Sequence, residues 1–91
     1  MSPKAGSLGA ALGDAALRLA ASSPTPHLDA QLLLAQLLGW ERARLLGRLD
    51  EALPEAIGPA FADRVARRAA GEPVAYLLGR AWFHGLQFAV G

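Results

Sequence analysis

The segment over residues 28–38, with the sequence LDAQLLLAQLL, is the most apolar continuous stretch of the chain. Wound as a helix at about 100° per residue, its leucines point in nearly every direction, and only Asp29 and Gln36 share a narrow polar stripe. A helix that is apolar almost all round has to be covered by other parts of a protein. The segment is far shorter than the roughly 20 residues that cross a bilayer, so lipid is not its partner. It therefore predicts a small helical bundle built around this one helix.

The composition favours one small helical domain and gives no reason to expect nucleic acid as a partner. Of the 91 residues, 53% are hydrophobic and only 7% are aromatic. Nine Lys and Arg side chains against eight Asp and Glu side chains leave a net charge of +1, whereas phosphate binding needs a concentrated basic face. Cysteine is absent and residues 1–7 hold no signal-like apolar run, so we expect a cytoplasmic protein without a membrane partner.

Turn-forming residues divide the chain into a lead-in, a bundle of about five helices and a C-terminal segment. Residues 1–7 are predicted to be a flexible lead-in with nothing to bury, and residues 8–79 to form the bundle. We expect helices over about 8–21, 26–38, 40–48 and 74–78, together with a fourth helix that ends at Gly71. Thr25 is expected to cap the second helix with its side chain, ahead of Pro26, and Gly39 to end it.

The fourth helix contains a proline that restricts where it can begin. Pro59 would remove an internal hydrogen bond if the helix began at Pro54, at a cost of about 3 kcal/mol. We therefore expect either a start near Gly58 and Pro59 or a kink there. The side chains expected in or against the core from the third helix onward are Trp40, Ala43, Leu45, Leu46, Leu49, Ile57, Phe61, Val65 and Tyr76.

Beyond residue 79 the spacing of apolar residues changes from a helical to a strand period. Leu86, Phe88 and Val90 alternate with other residues and Gly85 supplies a turn, so residues 80–91 predict a β-hairpin. A lone two-stranded hairpin is marginally stable in water and needs a surface to lie against. Because the sequence stops directly after the second strand, we expect the chain to be part of a longer protein.

No arrangement of residues predicts catalysis or metal binding within the chain. His27 and His84 are far apart in sequence, and Thr25 lies with two serines in a loop where turn formation and capping explain them. Two distant histidines and scattered carboxylates also lack the close ligand spacing of zinc sites. We therefore expect no catalytic residue, no cofactor-binding residue and no metal ligand in these residues.

A basic cluster near the end of the fourth helix, formed by Arg64, Arg67 and Arg68, allows two interpretations. Cations there offset the negative end of the helix, and Asp63 can pair with Arg67. The same side chains, together with Arg80, could instead contact an acidic surface of a partner protein. The sequence leaves both interpretations open, and the same ambiguity applies to Arg42, Arg44 and Arg48.

Three segments carry a resemblance to a known family. In chain order they read LDAQLLLAQLLG, RARLLGRLDEALPE and VARRAAGEPVAYLLGRAWFHGLQF. Together they resemble the amino-terminal domain of the HemK/PrmC family of protein-(glutamine-N5) methyltransferases. The resemblance implies a small helical bundle joined through a β-hairpin to a catalytic domain that binds S-adenosylmethionine. It also implies a parent enzyme that methylates the glutamine of the Gly-Gly-Gln motif in class I peptide-chain release factors.

The family's catalytic Asn-Pro-Pro-Tyr motif and its glycine-rich cofactor loop have no counterpart in these residues. We therefore expect a non-catalytic domain that binds and positions the release factor. The residues expected to touch that substrate are Arg64, Arg67, Arg68 and Arg80, and those expected to face the catalytic domain are Trp82, Phe83 and Phe88. The alternatives are a structural domain that only braces the catalytic domain, a helical adaptor that binds nucleic acid weakly, and the corresponding domain of a related enzyme acting on a ribosomal protein.

Overall fold

The computed structural model describes residues 5–78, which form a mostly helical bundle. Its helices are α1 (Leu8–Leu19), α2 (Pro26–Leu38), α3 (Arg42–Leu46) and α4 (Ile57–Ala69), followed by a helical segment over residues 74–78 that we call α5. The predicted bundle of about five helices is confirmed. The predicted hairpin lies outside the described residues, and so do Arg80, Trp82, Phe83 and Phe88.

Helix α2 lies at the centre of the bundle, as its apolar sequence predicts. Its Ala30, Leu33 and Leu34 are fully buried, and it packs against α1, α3 and α4. Full burial of one leucine side chain contributes about 1.5–3 kcal/mol, so this helix supplies much of the apolar stabilisation. The rest of the core consists of Leu8, Leu12, Ala15 and Leu19 from α1, Leu45 from α3, Phe61 and Val65 from α4, and Leu77 and Leu78 from α5.

The start of α1 is tied to the loop that precedes α4. Ser7 is only 1% exposed, and its Oγ accepts a hydrogen bond of 3.1 Å from the Ala10 amide, which makes it the N-cap of α1. The Leu8 amide donates to the Glu51 carbonyl at 2.8 Å, and the Leu53 amide donates to the Gly6 carbonyl at 2.9 Å. The expectation that residues 1–7 bury nothing is therefore wrong at Ser7, because the backbone pairing of this segment encloses it.

The two ends of α2 differ in how well the sequence predicted them. Gly39 ends the helix in the left-handed conformation with φ of 73°, as expected. Thr25 occupies the N-cap position and its carbonyl accepts from the Asp29 amide at 2.9 Å, but its side chain makes no capping bond. The hydroxyl instead donates to Asp29 Oδ1 at 3.1 Å, because a nearby carboxylate is the stronger partner.

Helix α4 begins at Ile57, so the late start is confirmed and the kink is not needed. Pro59 thus lies in the first turn, where an amide would have no partner inside the helix. The helix ends at Ala69, and Gly71 follows it with φ of 108°.

Several side chains expected in the core are exposed. Helix α3 spans only five residues, so it can present one side chain, Leu45, to α2. Ala43 is exposed, and the exposed fractions of Leu46 and Leu49 are 41% and 36%. Tyr76 is 60% exposed because Leu77 and Leu78 occupy the buried side of α5.

Between residues 5 and 78, none of the helices is long and apolar enough to span a membrane.

The buried position of Leu33 leads to a stability prediction. Leu33→Ala should lower the free energy of unfolding by about 2–5 kcal/mol, because it leaves a cavity in the fully buried centre of α2. Leu17→Ala is the matched control, since that leucine is 79% exposed and its truncation should change the free energy by about 0.5 kcal/mol or less. Urea unfolding followed by circular dichroism measures both. Equal losses would contradict the central position of α2.

Candidate functional site

Two arginines of α4 meet two polar residues of α2 across the bundle. Arg68 Nε donates to Asp29 Oδ2 at 3.0 Å, and Arg64 Nη1 donates to Gln36 Oε1 at 3.0 Å. Residue numbers rise along α2 as they fall along α4 through these two pairs, so the helices run antiparallel. We call these four residues the polar seam. The narrow polar stripe predicted on α2 is thus the partner surface of α4.

The Asp29 carboxylate is the most buried charged group of the seam. Its side chain is 7% exposed and that of Arg68 is 15% exposed. Besides the bond from Arg68, the carboxylate accepts hydrogen bonds from the Ser23 and Thr25 hydroxyls. Ser23 in turn accepts from the Thr25 amide at 3.0 Å, which holds the loop before α2. The network satisfies a charge that would be costly to bury alone.

These contacts set the acidity of Asp29. Burial on its own would raise the pKa of the Asp29 carboxyl. The hydrogen bonds from Ser23, Arg68 and Thr25, with the positive charge of Arg68, outweigh burial and hold that pKa below its ordinary value. The carboxylate is therefore ionised at neutral pH, which the ion pair with Arg68 requires.

All three arginines of the predicted basic cluster have partners within the chain. Arg67 Nε and Nη2 donate to the two carboxylate oxygens of Glu72, each at 3.0 Å, and its Nη1 lies 3.9 Å from Asp63 Oδ2. The predicted Asp63–Arg67 pair is thus confirmed. Of the two arginines of this cluster that form ion pairs, Arg67 is 44% exposed and Arg68 only 15%. Contact between this cluster and a partner protein remains a prediction.

A second set of arginines lies on an exposed surface beside Trp40. The Arg44 guanidinium lies 4.6 Å from the centre of the Trp40 ring, and that of Arg48 lies 5.9 Å from it. Arg48 also pairs with Glu51 at 2.8 Å. Trp40 lies before α3 and Arg48 after it, so the short helix and the turns on either side of it bring both cations to the indole face.

Next to this stack is an apolar groove of about 410 Å³ that we call the Trp40 groove. Its walls come from the second half of α2 and from the connection to α3. The lining residues are Leu32, Ala35, Gln36, Gly39, Trp40, Glu41 and Arg42. Trp40 packs against the core on one side, as expected, and borders the groove on the other. The surface thus combines an aromatic side chain with exposed cations.

A second groove of the described region is smaller and has fewer polar side chains suited to binding a partner. It has a volume of about 160 Å³ and lies between α1 and α4, with Phe61 and Val65 among its apolar walls and Asp14 and Arg18 at its polar edge. Within residues 5–78, no three His, Asp or Glu side chains come close enough to hold a metal ion. The Trp40 groove is therefore the stronger candidate for binding.

The sequence holds a signal for the polar seam that the prediction of the cluster did not use. Arg64 and Arg68 are four residues apart and so share one face of α4, while Asp29 and Gln36 share one face of α2. Matching the two stripes would have suggested the pairing. Trp40 and Arg44, with the same spacing, likewise signal the cation–π stack.

The buried ion pair leads to a prediction about stability. Arg68→Met should lower the free energy of unfolding by about 3 kcal/mol, because it leaves the Asp29 carboxylate buried without its counter-charge. Arg67→Met on the same helix is the control and should cause a much smaller loss, since its ion pairs are exposed. Thermal and urea unfolding measure both. Similar losses for the two variants would show that the buried pair of Asp29 and Arg68 does not stabilise the fold more than an exposed ion pair does.

The lowered pKa of Asp29 gives a second prediction, on pH. A carboxyl group whose pKa is lower in the folded state adds stability above its unfolded pKa of about 3.9 and loses it as pH falls through the folded value. The stability advantage of the parent chain over Asp29→Asn should therefore be constant near neutral pH and shrink below about pH 4. Ser23→Ala should reduce that advantage without abolishing it. Urea titrations from pH 7 to pH 2 test this, and an advantage that does not change with pH would refute it.

Comparisons with known proteins place the chain in a family. The family model described as the PrmC N-terminal domain matches residues 10–79. A release factor glutamine methyltransferase of Burkholderia pseudomallei is 47% identical over 75 residues, covering 82% of this chain and 26% of the relative. One of Moorella thermoacetica is 44% identical over 81 residues, covering 88% of this chain and 29% of the relative. No solved structure matches the chain significantly.

The chain thus spans between a quarter and a third of the length of these relatives. The matched residues 10–79 include α1 almost entirely, all of α2 to α5, the polar seam and the Trp40 groove. Both the resemblance drawn from the three sequence segments and the helical architecture agree with this match. The chain therefore belongs to the PrmC N-terminal domain family.

Proposed function

We propose that the chain is the N-terminal domain of an S-adenosylmethionine-dependent release factor glutamine methyltransferase, and that it binds and positions the release factor in the cytoplasm. The observation that carries the proposal is the family match over residues 10–79, together with relatives of that name at 44–47% identity. The methyl transfer itself is assigned to the rest of the parent enzyme.

A protein substrate poses a physical problem that a second domain can solve. One glutamine of a large protein has to enter a pocket in a fixed orientation. Contacts far from the reacting atoms can supply the binding free energy that holds it there. A bundle with a rigid polar seam suits this task, because it presents its surface without reordering on binding.

The residues of this chain do not fit the implied cofactor. No two of its glycines are adjacent or separated by a single residue, so it lacks the glycine-rich loop with which the family is expected to hold S-adenosylmethionine. The glycines of the described helices lie singly, within helices or at their ends. The role proposed for the domain therefore concerns the protein substrate alone.

The surface proposed to contact the release factor is the Trp40 groove with the exposed side chains of Arg42 and Arg44. Aromatic residues and arginines dominate the energetics of protein interfaces. The Trp40 ring holds Arg44 by a cation–π contact, which lowers the entropy that this side chain loses on binding. An acidic patch with an apolar side chain at its centre is the complementary partner surface.

The α4 arginines contribute less to the proposed surface. The bonds of Arg64 and Arg68 within the seam occupy their guanidinium groups. Arg67 keeps an accessible side chain, so it stays a proposed contact at the edge of the interface. Changing all three at once would disturb the bundle and the proposed surface together, which makes α3 the better place for a test.

A binding titration tests this proposal. The chain is titrated with a purified class I peptide-chain release factor, and calorimetry measures the affinity. Arg44→Glu should weaken binding by about fivefold or more, because it places a like charge against the acidic patch and removes the contact with Trp40. The weakening should be smaller at high salt, since exposed charges are screened.

The matched control is Arg18→Glu. Arg18 is an exposed arginine in the last turn of α1, as Arg44 is in the last turn of α3, so both changes place a negative charge at the same end of a helix. Equal weakening by the two variants would move the interface away from the Trp40 groove. A release factor that does not bind at all would refute the recognition role and favour the purely structural one. Binding of a ribosomal protein instead would favour the related enzyme.

A further inference from the structure

The three arginines of α4 share a target, the segment that follows Gly71. Arg67 makes its two-pronged contact with the Glu72 carboxylate, and Arg68 Nη1 donates to the Glu72 carbonyl oxygen at 3.1 Å. One turn earlier on α4, Arg64 Nη1 donates to the Leu77 carbonyl oxygen at 3.3 Å. The bonds therefore reach both ends of residues 72–77.

Two of these arginines bond to α2 at the same time. Arg64 Nη1 contacts Gln36 as well as the Leu77 carbonyl, and Arg68 contacts Asp29 as well as the Glu72 carbonyl. Each side chain thus joins three parts of the chain: α4, α2 and the segment over residues 72–77. Moving that segment would require breaking its bonds to two arginines of the polar seam.

Apolar packing holds the same segment from its other side. Leu77 and Leu78 are each 7% exposed and belong to the core, and Val74 packs against it. Gly71 reverses the chain after α4 with φ of 108°, a conformation that other residues rarely adopt. The amides of Tyr76 and Leu77 both donate to the Pro73 carbonyl at 3.1 Å. The backbone turn at Gly71, the apolar packing and the arginine bonds thus all favour the same position of α5.

We propose that Arg64, Arg67 and Arg68 act as a clamp that fixes the direction in which the chain leaves the bundle. Their role is positioning, since Arg67 holds the Glu72 side chain while Arg64 and Arg68 hold the backbone carbonyls of Leu77 and Glu72. We place the rest of the proposed parent enzyme beyond this exit, because the matched family is described as an N-terminal domain. On the basis of the proposed function, the clamp sets the orientation in which a bound release factor is presented to the parts that follow.

Arginine suits this role better than lysine. Its planar group offers five N–H donors in a fixed fork, so one side chain can bond to a carboxylate and to backbone carbonyls in different directions. Arg68 uses Nε toward α2 and Nη1 toward Glu72, and Arg67 uses Nε and Nη2 on one carboxylate. The three arginines that the sequence suggested as a substrate-binding patch thus bond to the segment by which the chain leaves the bundle.

Hydrogen exchange by NMR tests the clamp in the chain itself. Glu72→Ala should speed exchange of the Tyr76 and Leu77 amides by about two- to fivefold, the loosening expected from the loss of an exposed ion pair. The amides of Leu33 and Leu34 in α2 should keep their exchange rates. Arg64→Ala combined with Glu72→Ala should increase the local effect further.

Asp63→Ala is the matched control. It removes the other carboxylate next to Arg67 and leaves every bond to residues 72–77 in place. The clamp predicts that this variant leaves exchange at Tyr76 and Leu77 unchanged. The proposal is overturned if Glu72→Ala and Asp63→Ala have equal effects, or if exchange rises in parallel at Leu33 and Leu34. Neither readout involves a release factor, so it stands or falls separately from the recognition role.

A distance measurement tests the direction of the exit. The chain has no cysteine, so Leu17→Cys and Ala75→Cys provide two unique exposed sites for spin labels, one on α1 and one on α5. Electron paramagnetic resonance should show one narrow distance distribution in the parent and Asp63→Ala chains. It should broaden and shift with Arg64→Ala and Glu72→Ala together. An unchanged distance distribution in that double variant would show that apolar packing alone positions α5, and it would overturn the clamp.

Discussion

Burying Asp29 inside an otherwise apolar interface is the constraint on which the arrangement of this bundle depends. Removing a carboxylate from water costs several kcal/mol, and the cost has to be offset by partners in the correct places. Arg68 belongs to α4, while Ser23 and Thr25 belong to the loop before α2, and all three donate hydrogen bonds to the Asp29 carboxylate. Three parts of the chain must therefore be positioned together before the charge is satisfied. Apolar packing of α2 drives association of the helices, and Asp29 limits how they can associate.

The polar seam fixes the relative position of α2 and α4, whose contact surface is otherwise apolar. Helices with such surfaces can slide or turn by one position at small cost, because one apolar contact replaces another. Two polar pairs at different levels remove that freedom, since a shift would leave Asp29 and Gln36 without their arginine donors. The seam thus accounts for the antiparallel packing of α2 and α4 and for the fixed place of the segment after Gly71.

A net charge near zero conceals two groups of arginines with different surroundings. The arginines of α4 form hydrogen bonds to α2 and to residues 72–77. Arg42 and Arg44 of α3 are instead exposed, and Arg44 stacks on the Trp40 ring. Counting charges in the sequence gives both groups the same weight. Their partners distinguish the two groups, which is why we propose the α4 arginines as the clamp and the α3 arginines as the centre of the recognition surface, with Arg67 at its edge.

Local rules were sufficient for the parts of the fold that depend on neighbours in sequence. The central position of α2 follows from its all-round leucines, its end from Gly39, and the start of α4 from the rule that proline belongs in a first turn. The family resemblance also came from the sequence, because several segments agreed in one order. At Thr25 and Tyr76, two of the positions where local rules failed, another group competed: the Asp29 carboxylate accepts the hydroxyl's hydrogen bond, and Leu77 and Leu78 occupy the buried side of α5.

The sequence by itself thus determined the approximate positions of the helices, the glycine that ends α2 and the family, since each rests on spacing within a few residues or on whole segments. Only the tertiary structure decided which polar groups meet. Asp29 and Arg68 are separated by 39 positions, and Gln36 and Arg64 by 28. Such pairs depend on how helices cross, and many partners satisfy a charge equally well until packing selects one. For the same reason, the structure decided that the arginines of α4 bond within the chain while those of α3 lie exposed.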